Sequence, residues 1–286
     1  MSTVIKPIIS ARDVNKYIGQ PQTVLVDARG GADAYQRYRV GHLQGAVFMD
    51  LESDLSQKGP DAAIGGRHPL PTLLAFGNLL ERSGINPASH VIVYDDKSGA
   101  NAAARFWWMM KAVGHVKIQV IDGGLAALTG AGLPVVTGTD APAALQTVYP
   151  IREWKLPLAD LEMVDRARSA ADYLVIDVRE SYRYRGESEP IDLVAGHIPG
   201  AVNIPYIDNL EADGRFRSPE VLAAQFEEHI GNREGNKIIV HCGSGVTACH
   251  TLLAMEIAGL NSARLYVGSW SEWSRREKPI ATGPNP

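Results

Sequence analysis

Cysteine is nearly missing from this chain. Only Cys242 and Cys249 occur among 286 residues, so there is no disulfide framework, and a reducing compartment fits better than secretion. Long apolar runs are missing too: none approaches the roughly 18 residues that span a bilayer, and Met1 to Pro7 holds no basic region followed by an apolar core. A cytoplasmic protein without a membrane partner is expected. Neither sign of charge dominates, since 28 basic residues face 32 acidic ones for a formal charge of −4, and this argues against a nucleic-acid surface. There is no Gly-Lys-Ser/Thr motif, which excludes a nucleotide P-loop. His241-Cys242 and Cys249-His250 look like ligand pairs, but six residues between the cysteines fit no common zinc knuckle. Neither a metal nor a cofactor is expected.

What is present is a repeat. Val24-Leu25-Val26-Asp27-Ala28-Arg29 is echoed by Leu174-Val175-Ile176-Asp177-Val178-Arg179, and Gly41-His42-Leu43-Gln44-Gly45-Ala46 by Gly196-His197-Ile198-Pro199-Gly200-Ala201. His90 to Asp95 then matches Lys237 to Cys242, and Val120 to Gly124 matches Leu265 to Ser269, in the same order and about 150 residues apart. A chain of this length fits two domains of about 140 residues each. Short β-branched runs alternate with helical stretches, Asn101 to Val113 and Ala248 to Ala258 among them, as in a mostly parallel sheet covered by helices on both faces. The expectation is an α/β protein with a first domain over 1–137, a linker over 138–150 and a second domain over 151–286.

The chemistry concentrates in His241-Cys242-Gly243-Ser244-Gly245-Val246-Thr247-Ala248, between the apolar run Lys237 to Val240 and the helical run Thr251 to Met255. This reads as strand, loop and helix. Gly243 and Gly245 let successive N–H groups turn inward, so Cys242 sits in an anion-binding nest at the positive end of a helix. Helix N-termini and amide nests favour the thiolate, the reactive form of cysteine, and Cys242 is the candidate nucleophile. Ligands in such sheets bind beyond the carboxyl ends of the strands, where the first half carries Asp95 instead. That half cannot repeat the thiol chemistry and is expected to wall the cleft between the domains. Cys249, on the helix, reads as a packed core residue, and Trp270 and Trp273 as packing residues of a last helix.

Taken together, the tandem halves, Asp177-Val178-Arg179, Gly196 to Ala201, the Cys242 loop and Gly268-Ser269-Trp270-Ser271-Glu272-Trp273 resemble the two-domain rhodanese-type sulfurtransferases over nearly the whole chain. The loop Cys-Gly-Ser-Gly-Val-Thr is similar to that of the 3-mercaptopyruvate enzymes, whereas the thiosulfate enzymes carry Arg-Lys after the cysteine. The resemblance implies a small-molecule sulfur donor, mercaptopyruvate before thiosulfate, a Cys242 persulfide, and an acceptor such as cyanide or a thiol, reduced thioredoxin for example. It implies that the amides of Gly243, Ser244, Gly245, Val246 and Thr247 steady the developing charge. It also implies that Arg183, with Arg185 as the other candidate, holds the donor, and that Ser244, His42 and Asp33 form a serine-centred triad. Two positions depart from the family: Ile191 stands where a second donor-holding arginine is found, and Val267 where an acidic residue precedes Gly268-Ser269-Trp270.

Other classes fit these residues less well. A cysteine phosphatase or arsenate reductase needs an arginine six positions after the cysteine, where this chain has Ala248. A catalytically silent binding module of the same fold would be the natural reading had the cysteine been replaced, as it is by Asp95 in the first half.

Overall fold

Aliphatic, β-branched runs with both faces covered form the strands of this protein, as expected for parallel sheets flanked by helices. The computed structural model describes residues 5–139, 149–260 and 262–286. Two compact units emerge: Met1–Gln57, Pro71–Lys155 and Ala212–Arg215 make the first, and Lys58–Leu70, Leu156–Glu211 and Phe216–Pro286 the second. In the first unit, β1 (Ile8–Ile9), β2 (Thr23–Arg29), β3 (Ala46–Asp50), β4 (His90–Tyr94) and β5 (Ile118–Ile121) lie in the order β1-β5-β4-β2-β3, all paired parallel. The second holds β6 (Leu158–Ala159), β7 (Leu174–Asp177), β8 (Ala201–Asn203), β9 (Ile238–His241) and β10 (Arg264–Tyr266), in the order β6-β10-β9-β7-β8, again all parallel. Strand for strand the two orders are the same, which is the duplication expressed as topology.

The repeated motifs are the staples of each unit. At the end of β2, Arg29 lays its guanidinium on Asp27, with both bonds at 2.6 Å, and donates to the Gly41 carbonyl at 2.7 Å. At the end of β7, Arg179 does the same with Asp177 and donates to Gly196 at 2.6 Å. Tyr38 stacks on His42 and donates its hydroxyl to Ala46, while Tyr184 stacks on His197 and donates to Ala201. Burial and the hydroxyl's surroundings push the Tyr184 phenol up to about 12, so it stays a donor at any physiological pH.

Each central strand runs directly into a loop and a buried helix: β4 through Asp95 into α1 (Ala102–Ala112), and β9 through Cys242 into α2 (Thr247–Ile257). Both helices fall within one residue of the stretches expected from the sequence. Ala248 to Met255 are all buried, so α2 is fixed along its length rather than along one stripe. Trp270 and Trp273, on α3 (Ser269–Trp273), are fully buried in the core of the second unit with Val175, Ile198 and Tyr266. No helix among the described residues is long and apolar enough to cross a membrane.

Most of the expected linker, 140–148, lies outside the described residues. The division of units falls after Lys155, because Trp154 packs on Phe76 and Trp108, and Lys155 donates to the Ala112 carbonyl at 2.6 Å. The segment Lys58–Leu70 belongs to the second unit although it precedes the helix Leu73–Arg82 of the first.

Asp177 also sets an acid limit on stability. Burial pushes its carboxyl up, but Arg179 and His241 outweigh that and hold it below the usual carboxylate range. A carboxylate depressed on folding contributes stability above its unfolded value of about 4 and loses it as pH falls through the folded value. Asp177→Asn leaves a buried guanidinium short of its main partner, with an expected loss of about 3–5 kcal/mol at pH 7. Urea unfolding at pH 7 and at successively lower pH measures this, and the gap between variant and wild type should narrow below about pH 4.

Candidate active site

Cys242 is buried at the carboxyl end of β9, and its loop is docked from behind on the start of α3. The N–H of Trp270 donates to the Cys242 carbonyl at 3.0 Å and that of Ser271 to the Gly243 carbonyl at 2.8 Å. Ser269, held at φ 54°, accepts the Cys242 N–H on its hydroxyl at 3.2 Å and donates to Tyr266 at 2.8 Å. Gly245 has φ +72°, and a Cβ there would lie 2.6 Å from the Val267 carbonyl oxygen. Val267 therefore supports the loop through its backbone, a contact that any side chain at that position leaves in place. Among the described residues, no backbone or side-chain acceptor meets the N–H groups of Gly243, Ser244 and Val246.

The first unit shows what such a loop binds. After β4, the Asp95 carboxylate accepts the N–H groups of Lys97, Gly99, Asn101 and Ala103 at 2.8, 2.7, 2.9 and 3.2 Å. An anion at the strand end gathers the loop amides and the first N–H groups of the helix. Cys242 puts a sulfur in the corresponding place.

The segment 58–70 completes the site. Gly65 and Gly66 have φ of +78° and +80°, and a Cβ on Gly66 would run into the backbone of Gly268, so this close approach requires glycine. The Gly65 N–H donates to Glu272 at 2.9 Å and the Arg67 N–H to the Ser271 hydroxyl at 3.0 Å, fastening the segment to α3. The next two side chains then reach the loop. His68 Nδ1 lies 2.7 Å from Ser244 Oγ, and Arg67 Nη2 lies 3.1 Å from where a Cβ of Gly243 would stand.

Arg183 also reaches Gly243, with Nη2 3.4 Å from the same point. Its Nε and Nη2 are held by Glu189 and its Nη1 by Glu180. Burial alone would lower the Arg183 guanidinium, but Glu189, Glu180 and Asp192 raise it, so it is a fixed positive charge beside the loop. Burial likewise raises Glu189, yet Arg183 and the N–H groups of Asp192 and Ile191 pull it below the usual range. Tyr206 lies within the field of Glu180, Cys242 and Arg183, and burial first, then Glu180, pushes its phenol up.

Three of the expected site residues have partners away from the loop within their own units. The imidazole on Ser244 is that of His68, whereas His42 belongs to the first unit, where its ring lies 4.0 Å from that of Tyr38 and its Nδ1 3.0 Å from the Tyr38 carbonyl. Asp33 is exposed in the first unit and pairs with Arg37 on the same helix turn, and within the second unit the partner of Ser244 is His68. Arg185 is exposed and pairs with Glu187, leaving Arg183 as the arginine of that segment at the loop. Cys249 is buried on α2 with its Sγ donating to the Gly245 carbonyl at 3.3 Å. Arg67 and His68 were missed by the sequence reading. The signal was the pair of glycines ahead of them, in a stretch that none of the repeated motifs covers.

Comparison with known proteins follows this geometry. Residues 10–131 and 160–276 each match the rhodanese-like domain. The chain is 39% identical, over 96% of its length and 98% of the other's, to a Pseudomonas aeruginosa protein named "Probable 3-mercaptopyruvate sulfurtransferase". It is 34% identical to the thiosulfate sulfurtransferase of Rattus norvegicus over 87% of this chain and 83% of that one. The crystal structure of SseA from Escherichia coli, described with the 3-mercaptopyruvate enzymes, superposes with a TM-score of 0.78 at 30% identity, over 94% of this chain and all of that one.

Gly245 is the residue on which the loop's shape is most exposed to test. Gly245→Ala places a Cβ in a left-handed backbone and against the Val267 carbonyl. The expected result is a loss of roughly 1–3 kcal/mol in thermal or denaturant unfolding, with the transition otherwise cooperative.

Proposed function

We propose, for a chain that belongs to the rhodanese-like family of the sulfurtransferases, that Cys242 takes a sulfur atom from 3-mercaptopyruvate as a persulfide and passes it to a thiophilic acceptor. The Cys242 thiolate attacks the donor's thiol sulfur. A sulfur–sulfur bond forms as the carbon–sulfur bond breaks, and the electron pair leaves with carbon as the enolate of pyruvate. The loop amides of residues 243 to 247 face the charge carried by sulfur, as their counterparts around Asp95 face a carboxylate. Arg183 fixes the donor's carboxylate beside the loop. In the second half-reaction cyanide, or a thiol such as reduced thioredoxin, attacks the outer sulfur and Cys242 leaves as thiolate, an exchange that calls for no cofactor. The two free cysteines support a reducing, cytoplasmic setting.

The observation that carries the donor assignment is the 2.7 Å contact of His68 Nδ1 with Ser244 Oγ, two residues from the nucleophile. The pyruvate enolate must gain a proton to become pyruvate. A serine hydroxyl replenished by an imidazole delivers one at that place. Thiosulfate leaves sulfite, a stable anion that needs no proton. The pair therefore has a task with mercaptopyruvate and none with thiosulfate.

Steady-state turnover with both donors, cyanide as acceptor, tests this. Cys242→Ser is expected to abolish turnover of both. His68→Ala and Ser244→Ala should lower kcat for mercaptopyruvate by about 100-fold, the low end of what general acid–base catalysis supplies, and leave thiosulfate turnover within a few-fold of wild type. Equal losses for both donors would refute the proton-delivery role. A wild type that favours thiosulfate would reverse the donor assignment.

A further inference from the structure

The sequence leaves the donor site one guanidinium short, since Ile191 occupies the place of a second arginine. Ile191 is 54% exposed, and the residue after it takes up the missing function by another route. The Asp192 carboxylate, fully buried, accepts Arg67 Nε at 3.0 Å and Nη2 at 3.4 Å, shares the oxygen on Nε with Arg275 Nη1 at 3.1 Å, and has Arg183 Nη2 3.6 Å from its other oxygen. With its backbone fastened to Ser271 and its side chain fastened to Asp192, Arg67 ends 3.1 Å from the would-be Cβ of Gly243, nearer than Arg183 at 3.4 Å. We propose that Arg67 is a donor-binding residue, the second guanidinium that recognises the carboxylate of the sulfur donor in place of the arginine lost at Ile191. The inference rests on the sulfurtransferase reading for the identity of the donor, and on geometry alone for recognition of a carboxylate at Cys242.

The two guanidiniums are held differently. All three nitrogens of Arg183 are engaged by Glu189 and Glu180, and the side chain is nearly buried. Arg67 keeps 25% of its side chain exposed, uses only one edge of its fork on Asp192, and holds one of those two bonds at the long limit. Among the described residues its Nη1 meets no acceptor. A carboxylate arriving beside Gly243 therefore finds in Arg67 a partly exposed charge with one nitrogen uncommitted while Asp192 keeps its bonds to the other two, on a planar fork that matches carboxylate oxygens.

The test compares wild type, Arg67→Ala, Arg67→Lys and Arg275→Ala by two readouts. In steady state, Arg67→Ala is expected to raise KM for 3-mercaptopyruvate at least tenfold, or about 1.4 kcal/mol, with a smaller change in kcat, and Arg67→Lys to recover part of it. Independently of any turnover, alkylation of Cys242 by iodoacetate and by iodoacetamide, followed by mass spectrometry, reads carboxylate recognition as a ratio of rates, because the two reagents differ in that group. Arg67→Ala should lower the iodoacetate-to-iodoacetamide ratio at least fivefold, while Arg275→Ala, which loses bonds to Asp192 and to the Ser271 carbonyl but leaves Arg67 in place, should leave it within twofold. An unchanged ratio in Arg67→Ala, or an equal fall in Arg275→Ala, would overturn the proposal. If wild type fails to turn over mercaptopyruvate yet the ratio depends on Arg67, the donor assignment falls and carboxylate recognition by Arg67 stands.

Discussion

The constraint on which both halves of this protein are built is a set of backbone N–H groups converging where a central parallel strand hands over to a buried helix. Such groups need an acceptor, and an anion is the best one because the helix end adds its positive field. The first half supplies the anion covalently, in the Asp95 carboxylate with its four amide bonds. The second half puts the Cys242 sulfur there, which in the proposed reaction changes its partners. One fold thus yields a closed structural loop and a reactive loop, and the difference is one residue's chemistry.

Around that constraint the motifs with the strongest sequence signal turn out to be architectural. Asp27–Arg29 and Asp177–Arg179 tie each strand end to the glycine carbonyl of the Gly-His turn, and Tyr38–His42 and Tyr184–His197 stack beside them. Because both copies make the same bonds, duplication itself indicates a role in folding. A residue that acts in only one half has no reason to be repeated. The family resemblance pointed to His42, and its repetition as His197, with the same contact to a tyrosine carbonyl, is the physical argument for an architectural role.

The same reasoning explains what was legible in the sequence. Strand runs, the order of the repeat, the Cys242 loop and its helix follow from local pattern, and the structure places the two loop helices within a residue of the expected stretches. Arg183 was legible as one of a pair with Arg185, and burial with Glu189 decides between them. Arg67 and His68 were not legible, because their segment has neither strand nor helix periodicity and reaches its place through long-range contacts: Gly66 against Gly268, and Arg67 N–H on Ser271. Those contacts join residues some 200 positions apart, which no local pattern encodes.

Affinity and specificity are separable in this site. Guanidiniums beside Gly243 attract any small anion that carries a transferable sulfur, and both thiosulfate and mercaptopyruvate qualify, so charge alone cannot tell the donors apart. What differs is the leaving group: sulfite departs complete, whereas an enolate departs in need of a proton. In the proposed mechanism a hydroxyl–imidazole pair two residues from the sulfur would discriminate between them in the transition state rather than in the bound complex, and only such a difference raises the rate for one donor over the other. In the proposed reaction the arginines and the His68–Ser244 pair thus divide the work, one set holding an anion and the other completing the carbon product. The amide nest they surround would serve the step that all donors share, which is the attack of the Cys242 thiolate on the sulfur it receives.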